Sequence, residues 1–481
     1  MNDRDGKSRF LYLIPLLGTA LCVIYILAAT RDVVYSDYIR LINSYLPDVW
    51  DPGKFFVADI FTRMPVNFLE RIVNVELFGY STTFEMVLGA VCLGLAGAVL
   101  TTYCRKRHIG IGWYLLIMAV FFSLNKWEML TNGTGWCHFL AFAGFYYHYL
   151  VWDRVWQKQA LQGTPKQMTW READQDRRDR RLLMLLPWLI TLGTAGPYCG
   201  AYSAILILTY GICFLLDWRQ KKRPDYRHLI YLVHVLVPLG LYLISSTFAV
   251  EEHAGTTGRS IGQVLGDNLS LFPKFIIKSF SSMAVGSEVL LELLTRLNKG
   301  MALCYLAGLV VLAGYVLALW LQLRRRLYRT TVFPLMFILW GGLNHLLVLA
   351  ARWIFENSDY GMSSRYALQY QVGILGILLT FALAARQRRK ADDWQAGLER
   401  LAAVCISLVI LAGNGYTTCK EIQKAPNRRE YAMQVEAAAL DYEEIEGDKL
   451  EALFQYHHGP EKIRQALRIL EENQWNIYGG H

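Results

Sequence analysis

The chain has 481 residues, 54% of them apolar, and 49 Lys+Arg against 40 Asp+Glu give a formal charge of +9. The apolar residues recur in blocks of about 16–22, long enough to cross a hydrocarbon core of about 30 Å as helix, which excludes a water-soluble globular domain. Nine cysteines without paired metal or redox spacing exclude a disulfide scaffold, and most lie inside the apolar blocks, where free Cys behaves as a small hydrophobe.

Eleven blocks are read along the chain, at 10–29, 83–103, 109–124, 135–152, 182–196, 201–217, 229–247, 300–322, 331–351, 367–385 and 401–416. They predict an all-α polytopic membrane protein of about eleven transmembrane helices. The pair at 182–217, split by Gly196-Pro197, is either two short spans with a tight turn or one re-entrant hairpin. No small-residue cleavage site follows Ala29, so the first block is expected to be a retained anchor. Segments 1–9, 104–108, 153–181, 218–228, 323–330 and 386–400 hold 28 of the 49 Lys+Arg in 77 residues. Cationic loops resist translocation, so these lie inside, with the N-terminus inside and the C-terminus outside. Basic character is then a topology signal with some attraction to anionic lipid, and nucleic acid is not an expected partner. The layout divides into a transmembrane domain, 1–416, and an outer helical tail, 417–481.

The first outer loop, 30–81, opens Arg31-Asp-Val-Val-Tyr-Ser-Asp-Tyr. Asp59, Arg63, Asn67, Glu70 and Asn74 then share one helix face, and Phe56, Ile60, Met64, Phe68 and Ile72 another. Pro65 is expected to kink or divide that helix, which is predicted to lie in the interface with its apolar side down or to pack over the bundle. The second outer loop, 248–299, starts polar and Gly-rich at Glu251 to Ser260, a candidate gate, and continues Phe272-Pro-Lys-Phe-Ile-Ile-Lys-Ser-Phe, a candidate interfacial helix. The third, 352–366, leads into the tenth span. In the tail, Pro460 sits where a helix would start, and Ile463, Ala466, Leu467 and Leu470 form a stripe, predicting a small docked cap.

Among candidate chemical groups Asp37 stands first. A carboxylate near the bilayer, partly desolvated, can act as general base toward a hydroxyl or help hold a divalent cation. The alternative is a loop acid or helix N-cap, with Ser36 or Asp37 starting the helix Tyr38 to Leu46. Asp32 is expected to pair with Arg31 at the surface, and Asp48 and Asp51, beside Pro47 and Pro52, to serve turns. Arg365, at the outer mouth of the tenth span, can fork onto phosphate oxygens or simply anchor the span end, and Arg352 closes the same loop. Lys126 and Glu128 flank Trp127 at the end of the third span, either lining a cavity or anchoring the interface. His345 is either a direct participant or a hydrogen-bond link between helices. Asn132-Gly-Thr matches a glycosylation acceptor but lies close to the membrane and is discounted. There is no phosphate-binding Gly-rich loop ending in Lys-Ser/Thr, no His-Glu-x-x-His and no Gly-x-Ser-x-Gly, so nucleotide hydrolysis within this chain is not expected.

Taken together, the many-span N-in layout, Tyr35-Ser-Asp-Tyr soon after the first span, Phe122-Ser-Leu-Asn-Lys-Trp-Glu at the third span's end and Ser364-Arg-Tyr opening a late span resemble the GT-C class of polytopic glycosyltransferases. The ending Pro460-Glu-Lys-Ile-Arg to Trp475-Asn-Ile-Tyr is similar to the tails of bacterial membrane proteins of this type. The resemblance implies residence in a bacterial cytoplasmic membrane and a sugar donor on polyprenyl phosphate. Asp37 would be the base that accepts the proton of an extracytoplasmic hydroxyl, with inversion at the anomeric carbon, on a glycopolymer, lipid or protein acceptor. Arg365, with Arg352 or Lys126, would hold the departing phosphate. Position 36 is Ser where many members of the class carry a second acid, which leaves the divalent cation open. Two other readings stand beside it: a flippase or permease for a lipid-linked or anionic solute, and a non-catalytic scaffold of the cell envelope. Transport predicts ionisable groups deep in several spans, whereas here Glu85 is the notable exception in nearly charge-free spans.

Overall fold

The computed structural model describes residues 10–56, 65–161, 170–221, 225–246, 257–296, 300–387 and 394–479. Among these, every regular element is helical. Asp59, Ile60, Arg63 and Met64 of the expected 56–74 helix, the Gly-rich start 251–256 of the second loop, and Lys222, Arg223 and 388–390 of the basic clusters lie outside the described residues.

Among the described residues, eight helices are long and apolar enough to cross a membrane. They are α1 (Leu13–Ala29, with a 3-10 turn Phe10–Tyr12 ahead of it), α4 (Thr82–Lys106), α9 (Cys199–Lys221), α10 (Tyr226–Ser246), α14 (Gly300–Arg324), α15 (Phe333–Arg352), α16 (Ala367–Arg386) and α17 (Trp394–Leu440). Between α1 and α4 lie α2 (Asp37–Tyr45) and α3 (Pro65–Phe78). The other three apolar blocks are helical too. Block 109–124 holds α5 (Ile111–Phe121), which at 1.5 Å per residue is about 16 Å long. After the short α6 (Trp127–Thr131), block 135–152 lies in α7 (Trp136–Leu161), and block 182–196 in α8 (Trp170–Gly193). The Gly196-Pro197 break is a 3-10 turn, with Gly196 at φ +49°, that separates α8 from α9.

The centre of the bundle is α16, whose positions Ala367 to Ala384 are all buried. Its partner α15 approaches so closely at Gly341 that an added Cβ would lie 2.3 Å from the Gly373 backbone. Small residues let two helix backbones meet in this way, and dispersion then replaces the hydrophobic effect as the main attraction within lipid. Outward positions of α10 such as Val233, Leu236 and Leu243 are exposed, as a lipid-facing belt requires.

One end of the bundle is basic, and several of its arginines are tied down. Arg107 pairs with buried Asp153 at 2.7 Å, Arg154 with buried Asp179 at 2.6 Å, and Arg325 with Glu399 at 2.6 Å. Asp153 also accepts the Thr331 hydroxyl and the Val332 amide at 2.7 Å, capping the start of α15.

The other end is capped. Helix α17 does not stop at 416, where the composition turns acidic. It runs unbroken through Pro426 to Leu440, so the span and the first part of the tail are one rod. Beyond it, α18 (Gly447–Phe454) and α19 (Pro460–Glu472) form the cap. Pro460 starts α19 as expected, and Ile463, Ala466, Leu467 and Leu470 are fully buried. They cover Tyr38, Ile39, Ile42 and Tyr45 in a second core, each such side chain contributing roughly 1.5–3 kcal/mol on burial. The tail therefore folds onto the first loop.

Among the described residues α3 begins at Pro65, and the residues just ahead of it lie outside them, so the expected kink or division at Pro65 falls on that boundary. The stripe Asn67, Glu70 and Asn74 turns inward with Arg71, while Leu69, Val73 and Leu77 face out. The cause is Glu85 in α4, which accepts the Tyr38 hydroxyl at 2.6 Å and the Asn74 amide at 3.2 Å. Burial, and then the charge of Glu85, hold the Glu70 carboxyl well above the usual carboxylate range against the opposing pull of Arg71. The segment at 272–280 packs into the bundle. After α11 (Ile261–Asp267), α12 (Leu271–Ala284) inserts against α14 and α15 with Phe275, Lys278 and Ser279 buried, and α13 (Ser287–Arg296) follows it.

Candidate functional site

At the capped end, Asp37, Glu128, Arg352 and Arg365 come together around one cavity of about 540 Å³. Asp37 is the first residue of α2, after Ser36 at φ +55°, whose side chain makes no capping hydrogen bond. Its carboxylate is about one-third exposed, and Arg40 stands 4.0 Å away. Arg365 lies in a 3-10 turn, Ser364–Tyr366, whose Ser363 hydroxyl accepts the Arg365 amide. Its Nε is ion-paired with Glu128, and Ser364 donates to the other Glu128 oxygen at 2.6 Å. No described residue takes the terminal nitrogens of Arg365. Arg352 donates to the Tyr366 hydroxyl at 2.7 Å, a neutral partner, and no carboxylate among the described residues pairs with it. The remaining wall is mixed, with Ala201, Leu347 and Val348 on its apolar part and Asn132, Asn344 and Gln369 on its polar part.

Glu128, Asn132 and Arg365 also line a second cavity of about 460 Å³, so the ion pair is a shared wall. Here the cations are matched by acids: Arg31 with Glu436 at 2.8 Å, Lys424 with Glu288 at 3.5 Å, and Arg428 with buried Glu421 at 2.6 Å. Arg428 also covers the Trp127 ring at 3.2 Å. Tyr35 and Tyr431 complete an aromatic, polar and nearly neutral chamber. Burial pushes the Tyr35 phenol up to about 12, with Tyr431 and Glu128 adding to it, so it remains a hydroxyl donor.

Three sequence candidates stay outside. Lys126 is fully buried and donates to Phe121 O at 2.6 Å and Ser123 O at 3.0 Å, satisfying carbonyls at the end of α5. His345 hydrogen-bonds the Ser279 hydroxyl of α12 at 2.7 Å and stacks on Tyr370, which makes it a helix link. Asp32 does not pair with Arg31. It accepts the Ser81 hydroxyl and the Thr82 amide, both at 2.6 Å, and Asn476 at 3.1 Å, fastening the start of α4 to the tail. Asp51 accepts the Gly53 amide at 2.8 Å, the turn role expected of it. Sequence reasoning missed His138, Tyr198 and Tyr366 on the first cavity. The available signal was a histidine following Asn132-Gly-Thr-Gly at the mouth of an apolar block.

Comparison with known proteins adds no relative: no family model, curated protein or solved structure matches the chain.

Proposed function

We propose that the protein is a membrane glycosyltransferase of the GT-C kind, moving a sugar from a polyprenyl-phosphate donor to an acceptor hydroxyl at its capped, extracytoplasmic end. The observation that carries this reading is the convergence of Asp37, Arg352 and Arg365, from three distant segments, on one cavity whose wall is partly apolar. The first cavity takes the donor, its apolar side meeting the prenyl chain and its arginines the phosphate. The acceptor approaches from the second, charge-balanced chamber, whose aromatic and hydroxyl lining suits a polyhydroxylated ligand.

In the transfer step, the acceptor oxygen attacks the anomeric carbon as Asp37 takes its proton. The bond from that carbon to the phosphate oxygen breaks, the sugar inverts, and the lipid phosphate leaves between Arg352 and Arg365. A divalent cation fits this donor set poorly. Glu128 is engaged by Arg365 and Ser364, which leaves Asp37 as the remaining carboxylate beside two guanidiniums. In this reading the chain crosses eleven times, blocks 109–124, 135–152 and 182–196 adding to the eight, with the basic end and the N-terminus inside.

Proteoliposomes loaded with decaprenyl-phosphate-linked labelled sugar test it. The account expects labelled sugar to appear on a hydroxyl acceptor together with free decaprenyl phosphate. Movement of intact lipid-linked label across the bilayer with no transfer would favour a flippase instead.

A further inference from the structure

Away from both cavities, at the basic end, the side chains of Asp217, Asp225 and His228 each bring one donor atom to a common point, all within 4.8 Å of one another. Among the described residues no other three His, Cys, Asp or Glu side chains converge in this way. They come from two helices: Asp217 lies near the end of α9, Asp225 just ahead of α10 and His228 in its first turn. An ion pair between His228 Nε2 and Asp217, 3.3 Å apart, accounts for two of them. It does not account for the carboxylate of Asp225 at the same point.

The donors are oriented by their surroundings. The imidazole is buried, with its ring edge-on to Trp152 of α7 at 5.9 Å and to Tyr231 at 6.4 Å. Asp225 Oδ1 accepts the Arg227 amide at 3.0 Å, and the Asp225 carbonyl accepts the His228 amide at 3.1 Å, so one turn sets both residues. The side chains of Asp217 and Asp225 are 18% and 26% exposed, so one side of the group is open to water. Zinc bonds of about 2.0–2.2 Å to nitrogen and oxygen set neighbouring donors roughly 3–4 Å apart. The 3.3 Å between His228 and Asp217 already matches, and closing the rest asks for small rotations of the two acids. Two carboxylates and a neutral imidazole balance a divalent charge. Arg227 stands 3.3 Å from Asp225 but is more than half exposed, and such a surface pair yields at little cost.

The geometry points to a divalent-metal site of the zinc class, with Asp217, Asp225 and His228 as its three protein ligands and water completing the coordination. An imidazole in the set favours zinc over magnesium or calcium, which take oxygen ligands. The ion staples the ends of α9 and α10. That junction has something to gain from a staple, because α10 packs chiefly against α8 and α9 and turns Val233, Leu236 and Leu243 outward. The site is independent of the chemistry assigned to the capped end.

The test is metal binding to purified, tag-free, full-length protein in detergent, stripped with EDTA and titrated with Zn2+, Mg2+ or Co2+. Wild type should take up a single tightly held Zn2+ per chain, and its melting temperature should rise with Zn2+ concentration, since the ion binds the folded chain. Co2+ in the same place should give visible d–d absorption that Zn2+ displaces. Asp217→Asn and Asp225→Asn should each weaken Zn2+ at least about tenfold, and His228→Gln should also change the Co2+ spectrum. Asp225→Asn is the safeguard against misfolding, because Asn can replace Asp ahead of a helix. Its melting temperature in EDTA should stay near that of wild type while the rise with Zn2+ is lost. Failure of wild type to bind Zn2+ overturns the site and leaves a histidine–aspartate ion pair. Zn2+ affinity and Co2+ spectrum unchanged in all three variants overturn it as well, by placing the ion elsewhere. Mg2+ binding as tightly as Zn2+ overturns the zinc class.

Discussion

Arg352 and Arg365 share a cavity but not a kind of partner, and that difference separates their expected phenotypes. Arg352→Ala removes a guanidinium held by a phenol, so donor affinity should fall while the melting temperature moves little. Arg365→Ala strands Glu128 with Ser364 as its remaining contact, so affinity and stability should both fall. Because Arg365 is half exposed, the stability loss is about 1 kcal/mol or less. Adding Glu128→Gln should restore the stability and not the affinity; recovery of both would mean that Arg365 only positions Glu128. Lys126 makes a separate prediction. Burial lowers its pKa to about 8, below the unfolded value of about 10.4. Between those values the unfolded chain binds the extra proton, so the penalty is full below about pH 8 and is relieved as pH rises. The melting temperature of Lys126→Met minus that of wild type should therefore decrease from pH 7 to pH 9.5. A difference independent of pH would contradict a buried, easily neutralised ammonium.

At the scale of elements, α19 shows what sequence can convey. Pro460 and the stripe through Ile463, Leu467 and Leu470 specify a helix start and a buried face locally, and both are found. Leu467→Ala should cost about 2–5 kcal/mol of cap stability, read as faster amide exchange across 460–472. Rapid exchange there in the wild type would refute a docked cap. Helix α3 shows the opposite. Its polar and apolar stripes were legible, but which one turns inward depends on Glu85, Tyr38 and Asn74 meeting across three elements. Likewise the acidic shift at 417 marks where the chain leaves the apolar belt, and not where α17 ends. In the site, Asp37, Glu128, Arg352 and Arg365 could be picked out because each is a charge beside an apolar block on the expected outer face, where arginines are scarce. His138 could not, because its unmet nitrogens are a property of its surroundings. Lys126 and His345 were equally visible, and packing assigns them structural tasks.

For the molecule as a whole, the account requires the capped end to face outward and the basic end inward. With exposed Cys405 and Cys419 replaced, Ser260→Cys should label from outside intact cells, and Trp170→Cys only after permeabilisation. The reverse pattern would put the site in the cytoplasm and remove the polyprenyl-phosphate donor from reach. A cap made jointly by the first loop and the tail also means that the site depends on both ends of the chain, so loss of α19 should disturb α2 and with it Asp37.

The most direct test of the central claim is the sugar-transfer rate of Asp37→Asn protein, measured beside its affinity for decaprenyl phosphate. The amide keeps the size and the place of Asp37 at the start of α2 but cannot accept the acceptor's proton. The account predicts a rate lower by about 10²–10⁴, with donor affinity nearly unchanged. Transfer at the wild-type rate would contradict it and return Asp37 to the role of an acid at a helix start.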